Sequence, residues 1–136
     1  MTYAVSFALQ SAVYDRLVGD VALSGLVGGH IVDAPPSGSL PVAYVLIGDE
    51  TVRDNSSKTH GAARHDFMVS VVSDASGFSA AKQIAAAVCD ALIDADLLLT
   101  RGSLTGLEFR SAQAKRQDNP GQRQIDLRFR AHVADT

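Results

Sequence analysis

The chain has 136 residues, enough for one domain with a real core and too few for two. Hydrophobic residues make up 46% and charged residues 20%, a globular composition that argues against intrinsic disorder. No apolar run approaches the roughly 18 to 20 residues that a membrane-spanning helix needs, and Leu97-Leu98-Leu99 is far too short.

The net charge of -3 is unevenly spread. Through Thr100 there are 11 acids against 5 bases, hence -6; from Arg101 onward there are 4 acids against 7 bases, hence +3. Such asymmetry fits three readings: a solvated sheet face, complementary faces that attract successive copies of one subunit, or an electropositive surface for nucleic acid. The start, Met1-Thr2-Tyr3-Ala4, has neither a basic region nor a cleavable apolar core, which predicts a cytoplasmic origin.

In chain order, Val5, Leu9, Val13 and Leu17 recur every four residues with Gln10, Asp15 and Arg16 between them, the pattern of an amphipathic helix. Gly19-Asp20 ends it, and Asp20 caps a short second turn through Leu26 that Gly28-Gly29 stops. His30 to Asp33 reads as a short strand, broken by Ala34-Pro35-Pro36-Ser37-Gly38-Ser39, where proline denies both helix and ladder hydrogen bonds. Val42 to Ile47 is a strand apolar enough to be buried on both sides, and Thr51-Val52-Arg53 extends it.

From Asp49 to Arg64 the chain is polar and poor in apolar residues, which predicts a long loop, mobile in the free subunit. Asp66 to Ser73 alternates with Phe67, Val69 and Val71 on one face, as a strand requires. Ser76 or Ser79 then caps a helix whose apolar stripe is Ile84, Val88 and Leu92, with Ala81, Ala85 and Ala91 nearby. In the last third, Leu107 and Phe109, then Ile125, Leu127, Phe129, Ala131 and Val133, alternate with polar residues around Asn119-Pro120-Gly121. This is a long antiparallel hairpin with one buried face, its other side carrying Glu108, Arg110, Asp126, Arg128, Arg130 and His132. Arg128 and Arg130, two residues apart, share that face, and no aromatic residue interleaves with them as on a single-strand-binding platform.

Chemistry-bearing motifs are sparse. Cys89 has no partner for a disulfide and reads as a packed thiol; His30, His60, His65 and His132 are scattered without metal-ligand spacing. Gly25-Leu26-Val27-Gly28-Gly29 lacks the Lys-Ser or Lys-Thr of a phosphate loop. Gly77-Phe78-Ser79-Ala80-Ala81 lacks the closing glycine of a nucleophile elbow, and Asp94 with Asp96 reads as a helix terminus. No enzyme, cofactor or metal is expected.

The elements assemble into one α+β domain over residues 1–136, a mainly antiparallel sheet with two helices packed on one face. Their order, with Ser6 to Tyr14, Asp33-Ala34-Pro35-Pro36, Ser57-Lys58-Thr59 and Ser73-Asp74-Ala75-Ser76-Gly77, resembles the tail terminator or head-tail completion proteins of long-tailed bacteriophages and their gene transfer agent relatives. Such relatives often carry an aromatic residue in the loop before Ser57-Lys58-Thr59, where this chain has Asn55.

The resemblance implies a virion protein that forms a ring, typically of six subunits, at the head-proximal end of a tail. The ring would end growth of the tail tube, bind the tube protein and the head completion or stopper protein, and let double-stranded DNA pass without sequence readout. Arg110, Arg128 and Arg130 are then expected at a neighbouring subunit or the lumen, and Arg53, Asp54, Asn55, Ser57 and Lys58 at a partner. The alternative is a small nucleic-acid-binding or ligand-binding α+β domain, which would need a basic surface excess or convergent polar groups in a pocket such as Ser79, His65 and the aspartates.

Overall fold

The computed structural model describes residues 2–35, 38, 41–74, 77–93, 95–117 and 121–135. In chain order these form helices α1 (Ser6–Val18) and α2 (Val21–Val27), strands β1 (Ile31–Val32), β2 (Ala43–Asp54) and β3 (Ala62–Ser73), helix α3 (Ser79–Leu92), and strands β4 (Ser103–Gln117) and β5 (Gln122–Ala134). No helix among the described residues is long and apolar enough to cross a membrane.

The four-residue stripe that predicted α1 is its buried face, with Val5, Leu9, Val13 and Leu17 at most 2% exposed. Asp20 caps α2 as its chemistry dictates: the carboxylate accepts the Leu23 N–H at 2.9 Å, and Gly28 closes the helix at φ 61°. α3 departs from expectation. It begins after Phe78 without a side-chain cap bond, so Ser79 is its first residue and not its cap; Ser76 lies outside the described residues.

The strands form one five-stranded sheet in the order β1-β2-β3-β5-β4. Only β1 and β2 run parallel, as expected of a mainly antiparallel α+β fold. Among the described residues three helices, counting the seven-residue α2, stand on one face where two were expected, and an apolar cluster joins them to Val45, Ile47, Phe67, Val69, Val71 and, on β5, Ile125, Leu127, Phe129, Ala131 and Val133. Within it Phe129 stacks on Phe67 at 5.6 Å and meets the edge of Phe109 at 6.0 Å. Gly102 turns the chain into β4 at φ 73°, where an added Cβ would stand 2.6 Å from the Ala134 carbonyl oxygen.

The long loop expected at residues 49–64 is a correction. β2 runs to Asp54 and β3 starts at Ala62, with Thr51 to Asp54 paired to Asp66 to Ala63, so only residues 55–61 connect them. Backbone ladders need no apolar side chains, and a reading based on apolar content undercounts them. The turn expected at Asn119-Pro120 and the carboxylate Asp94 lie outside the described residues, while Gly121 has φ 82°.

Candidate assembly surfaces

Because β5 alternates strictly, Arg128, Arg130 and His132 project from the face away from the helices. Arg130 is already committed: its Nε donates to Asp66 Oδ1 at 2.7 Å and its Nη2 to Oδ2 at 3.3 Å. That guanidinium holds the Asp66 carboxyl below its ordinary range. His132 Nε2 donates to Glu108 Oε1 at 2.8 Å and keeps that carboxyl low in turn.

Arg110 occupies a bulge between Phe109 and Ser111 and reaches Glu108 at 3.6 Å, both side chains near half exposure. Arg128 is exposed, level with Met68 and Ser111, and forms no ion pair among the described residues. The three arginines named from sequence therefore share a surface but differ in freedom, Arg128 being the most available.

Further along this face Asp126 is only 4% exposed. Burial pushes its carboxyl up, but Gln124 and the Ser70 hydroxyl, each donating at 2.7 Å, and Lys115 at 3.1 Å hold it below the usual range. The polar face is thus cross-linked strand to strand, not merely solvated.

The β2–β3 connection carries the second predicted set, Arg53, Asp54, Asn55, Ser57 and Lys58, all exposed. Asp54 accepts from the Ser56 hydroxyl at 2.6 Å and the Ser56 N–H at 3.3 Å, and that hydroxyl oxygen also takes the Ala62 N–H at 3.1 Å. Ser57 N–H donates to the His60 carbonyl at 3.0 Å while Ser57 Oγ accepts the His60 N–H at 3.1 Å. Short Asp and Ser side chains here do the ordering that apolar residues do elsewhere.

Sequence reading missed a third cluster. A bulge between Ile47 and Glu50 turns Glu50 toward the helix side, where its carboxylate accepts from Ser6 Oγ at 2.6 Å and His65 Nδ1 at 3.0 Å. Burial raises the Glu50 pKa, yet the bonds from His65, Ser6 and Tyr3 prevail and bring it to about 2. The His65 ring is fully buried, and its Nε2 finds no hydrogen-bond partner among the described residues. The carboxylate stands between hydroxyl and imidazole, so the imidazole does not touch Ser6, the opposite of a serine–histidine relay. The visible signal was His65 itself, in phase with Phe67 and Val69; the Glu50 bulge left none.

No group of three or more His, Cys, Asp or Glu is placed to hold a metal ion among the described residues. Cys89 is half-buried and burial raises its thiol pKa, in keeping with a packed residue.

One sheet face carries cross-strand charge pairs, the β2–β3 tip is held by its own hydrogen bonds, and β4 stands at one edge of the sheet. The chain belongs to the family of tail completion protein gp17, which matches residues 11–134. Among solved structures it is similar to a chain of the "virion of native gene transfer agent (GTA) particle", with 52% identity, a TM-score of 0.92, and coverage of 98% of this chain and 99% of that one. A comparison with curated proteins gives no match. The resemblance to phage tail completion proteins and their gene transfer agent relatives is therefore borne out, and the protein is a structural tail component of the virion.

Proposed function

We propose that this chain, as a single domain, forms a ring, six copies in the form the family resemblance implies, at the head-proximal end of a phage-like tail. The ring ends growth of the tail tube and joins it to the head completion or stopper protein, with double-stranded DNA crossing the lumen without sequence readout. The role is structural, not catalytic. The observation that carries this reading is the likeness, over almost its whole length, to a chain of a gene transfer agent virion.

Two surfaces support it. Arg110, Arg128 and Arg130 stand on one sheet face, which supplies positive charge toward either a neighbouring subunit or the DNA-bearing lumen. Arg53, Asp54, Asn55, Ser57 and Lys58 project at the hairpin tip, away from the apolar core, where a tube or connector protein would order them further. Mass measurement in solution, alone and with tail tube protein, tests the assembly. A discrete oligomer that binds tube ends under the electron microscope is the expected result; a monomer in both conditions, absent from tube ends, overturns it.

A further inference from the structure

The sheet ends in two unlike edges. At one stands β4, 15 residues long; at the other stands β1, with two. An edge strand presents unpaired N–H and C=O groups, a template for a strand from another chain.

Ser111 to Arg116 of β4 are exposed throughout, although Ile125 and Leu127 of β5, their neighbours in register, are 4% and 3% exposed. Ala112 pairs with Leu127, Ala114 with Ile125 and Arg116 with Arg123, so these three share the helix side of the sheet. From Arg110 to Arg116 the strand carries Arg110, Lys115 and Arg116 and no acid.

The β1 edge is shaped in the opposite sense. Between it and α1 lies a groove of about 550 Å³ lined by Gln10, Tyr14, Asp15, Ile31, Val32 and Asp33. Through Gln10 and Asp33 it continues into a cleft of about 390 Å³ that reaches Asp49 and Glu50. Among the described residues four carboxylates line the two, with no Lys or Arg; Arg16 on α1 donates instead to the Ala91 carbonyl at 2.7 Å.

We infer that the outer half of β4 adds to the β1 edge of a second copy of this chain and fills the acidic groove beside that copy's α1. β1 is parallel to β2, and three antiparallel pairings separate β2 from β4, so β4 runs opposite to β1. A copy related by rotation about an axis along the strands keeps these directions, and the new pair is antiparallel. The heights also agree: Ile31, Val45, Val71, Ile125 and Ala114 form one row across the sheet, so Ala114 meets the next subunit's Ile31 with no axial shift.

The small side chains of Ala112 and Ala114 leave room for the neighbour's Tyr14, which is 41% exposed, and Arg116, opposite Gly29 in this register, reaches toward the neighbour's Asp15. The contact joins two different surfaces, so it repeats head to tail and closes when the rotation permits. It rests on the ring reading above and names the surfaces that make the ring.

The test uses the full chain at a concentration where the wild type assembles. Arg116→Glu alone, and Asp15→Arg alone, each raise the concentration needed for assembly by about tenfold or more, because like charges then meet across the interface. One chain carrying both substitutions regains assembly. Both positions are exposed, and circular dichroism checks that each variant is folded. Amide exchange in the assembled wild type slows at residues 111–116 and 31–33. Oligomers without that protection, or a double variant no better than the singles, remove the edge pairing and leave the ring standing. A wild type that stays monomeric in solution and forms no ring on tails removes the ring reading and this inference with it.

Discussion

The two faces of β5 carry opposite chemistries one residue apart. On the helix side Ile125, Leu127, Phe129, Ala131 and Val133 are at most 4% exposed and belong to the core. On the other side Asp126, Arg130 and His132 are held in cross-strand pairs, and Arg128 faces outward without an ion pair among the described residues. Burial on one face supplies the stability that lets the other carry charge, because apolar transfer scales with area removed from water while exposed ion pairs contribute little. With this division the polar face can change at small cost to the fold.

The division is broken most severely at Phe129, which is 1% exposed between the rings of Phe67 and Phe109. Phe129→Ala removes both ring contacts and leaves a cavity, at a cost of about 3 to 5 kcal/mol. Denaturant unfolding should show a large drop in midpoint with the slope preserved. A loss below about 1 kcal/mol would mean that the core collapses around the site and the helix face is not the rigid half.

A reader of the sequence sees the rigid half far more clearly than the other. The α1 stripe, the Asp20 cap and the β3 and β5 alternations follow from spacing, because burial imposes a period that the chain displays. The polar face depends on register: that Arg130 meets Asp66 and His132 meets Glu108 is settled by pairings between residues 64 and 24 positions apart. The β2 bulge defeated phase counting, since one inserted residue swaps the faces of everything beyond it, Glu50 included. The length of the loop was overestimated for a related reason, since ladder pairing of polar residues leaves no apolar signal and shortens it to residues 55–61. Strand parity placed Arg110, Arg128 and Arg130 on one face, but it cannot tell a paired arginine from a free one.

Glu50 is the exception to the division, a charge on the buried side, and gives the intermediate effect. Its folded pKa of about 2 lies below its ordinary 4.5, so its stabilising contribution is complete above pH 4.5 and disappears as pH falls toward 2. Glu50→Gln should lower stability at neutral pH by about 1 to 2 kcal/mol, through weaker bonds to His65 and Ser6. It should also flatten the decline of stability between pH 4.5 and 2. Unfolding curves across that range check both; an unchanged acid limb would show that other carboxylates, Asp66 and Asp126 among them, account for it.

The smallest expected change in stability belongs to Arg128, and it sharpens the comparison most. Arg130 is a poor probe of the assembly face, since reversing it sets a glutamate against Asp66 and mixes folding with assembly. Arg128 is exposed and forms no ion pair among the described residues, so Arg128→Glu should change stability by no more than about 0.5 kcal/mol and leave the thermal midpoint nearly unchanged. If this face meets a neighbour or passing DNA, the reversal recurs in every subunit of the proposed ring, and a small unfavourable contact is multiplied by the copy number. Electron microscopy of tails made with folded Arg128→Glu protein should then show few with heads attached. Normal tails with heads at normal yield would assign the polar face to solvent and leave assembly to the sheet edges and the hairpin tip.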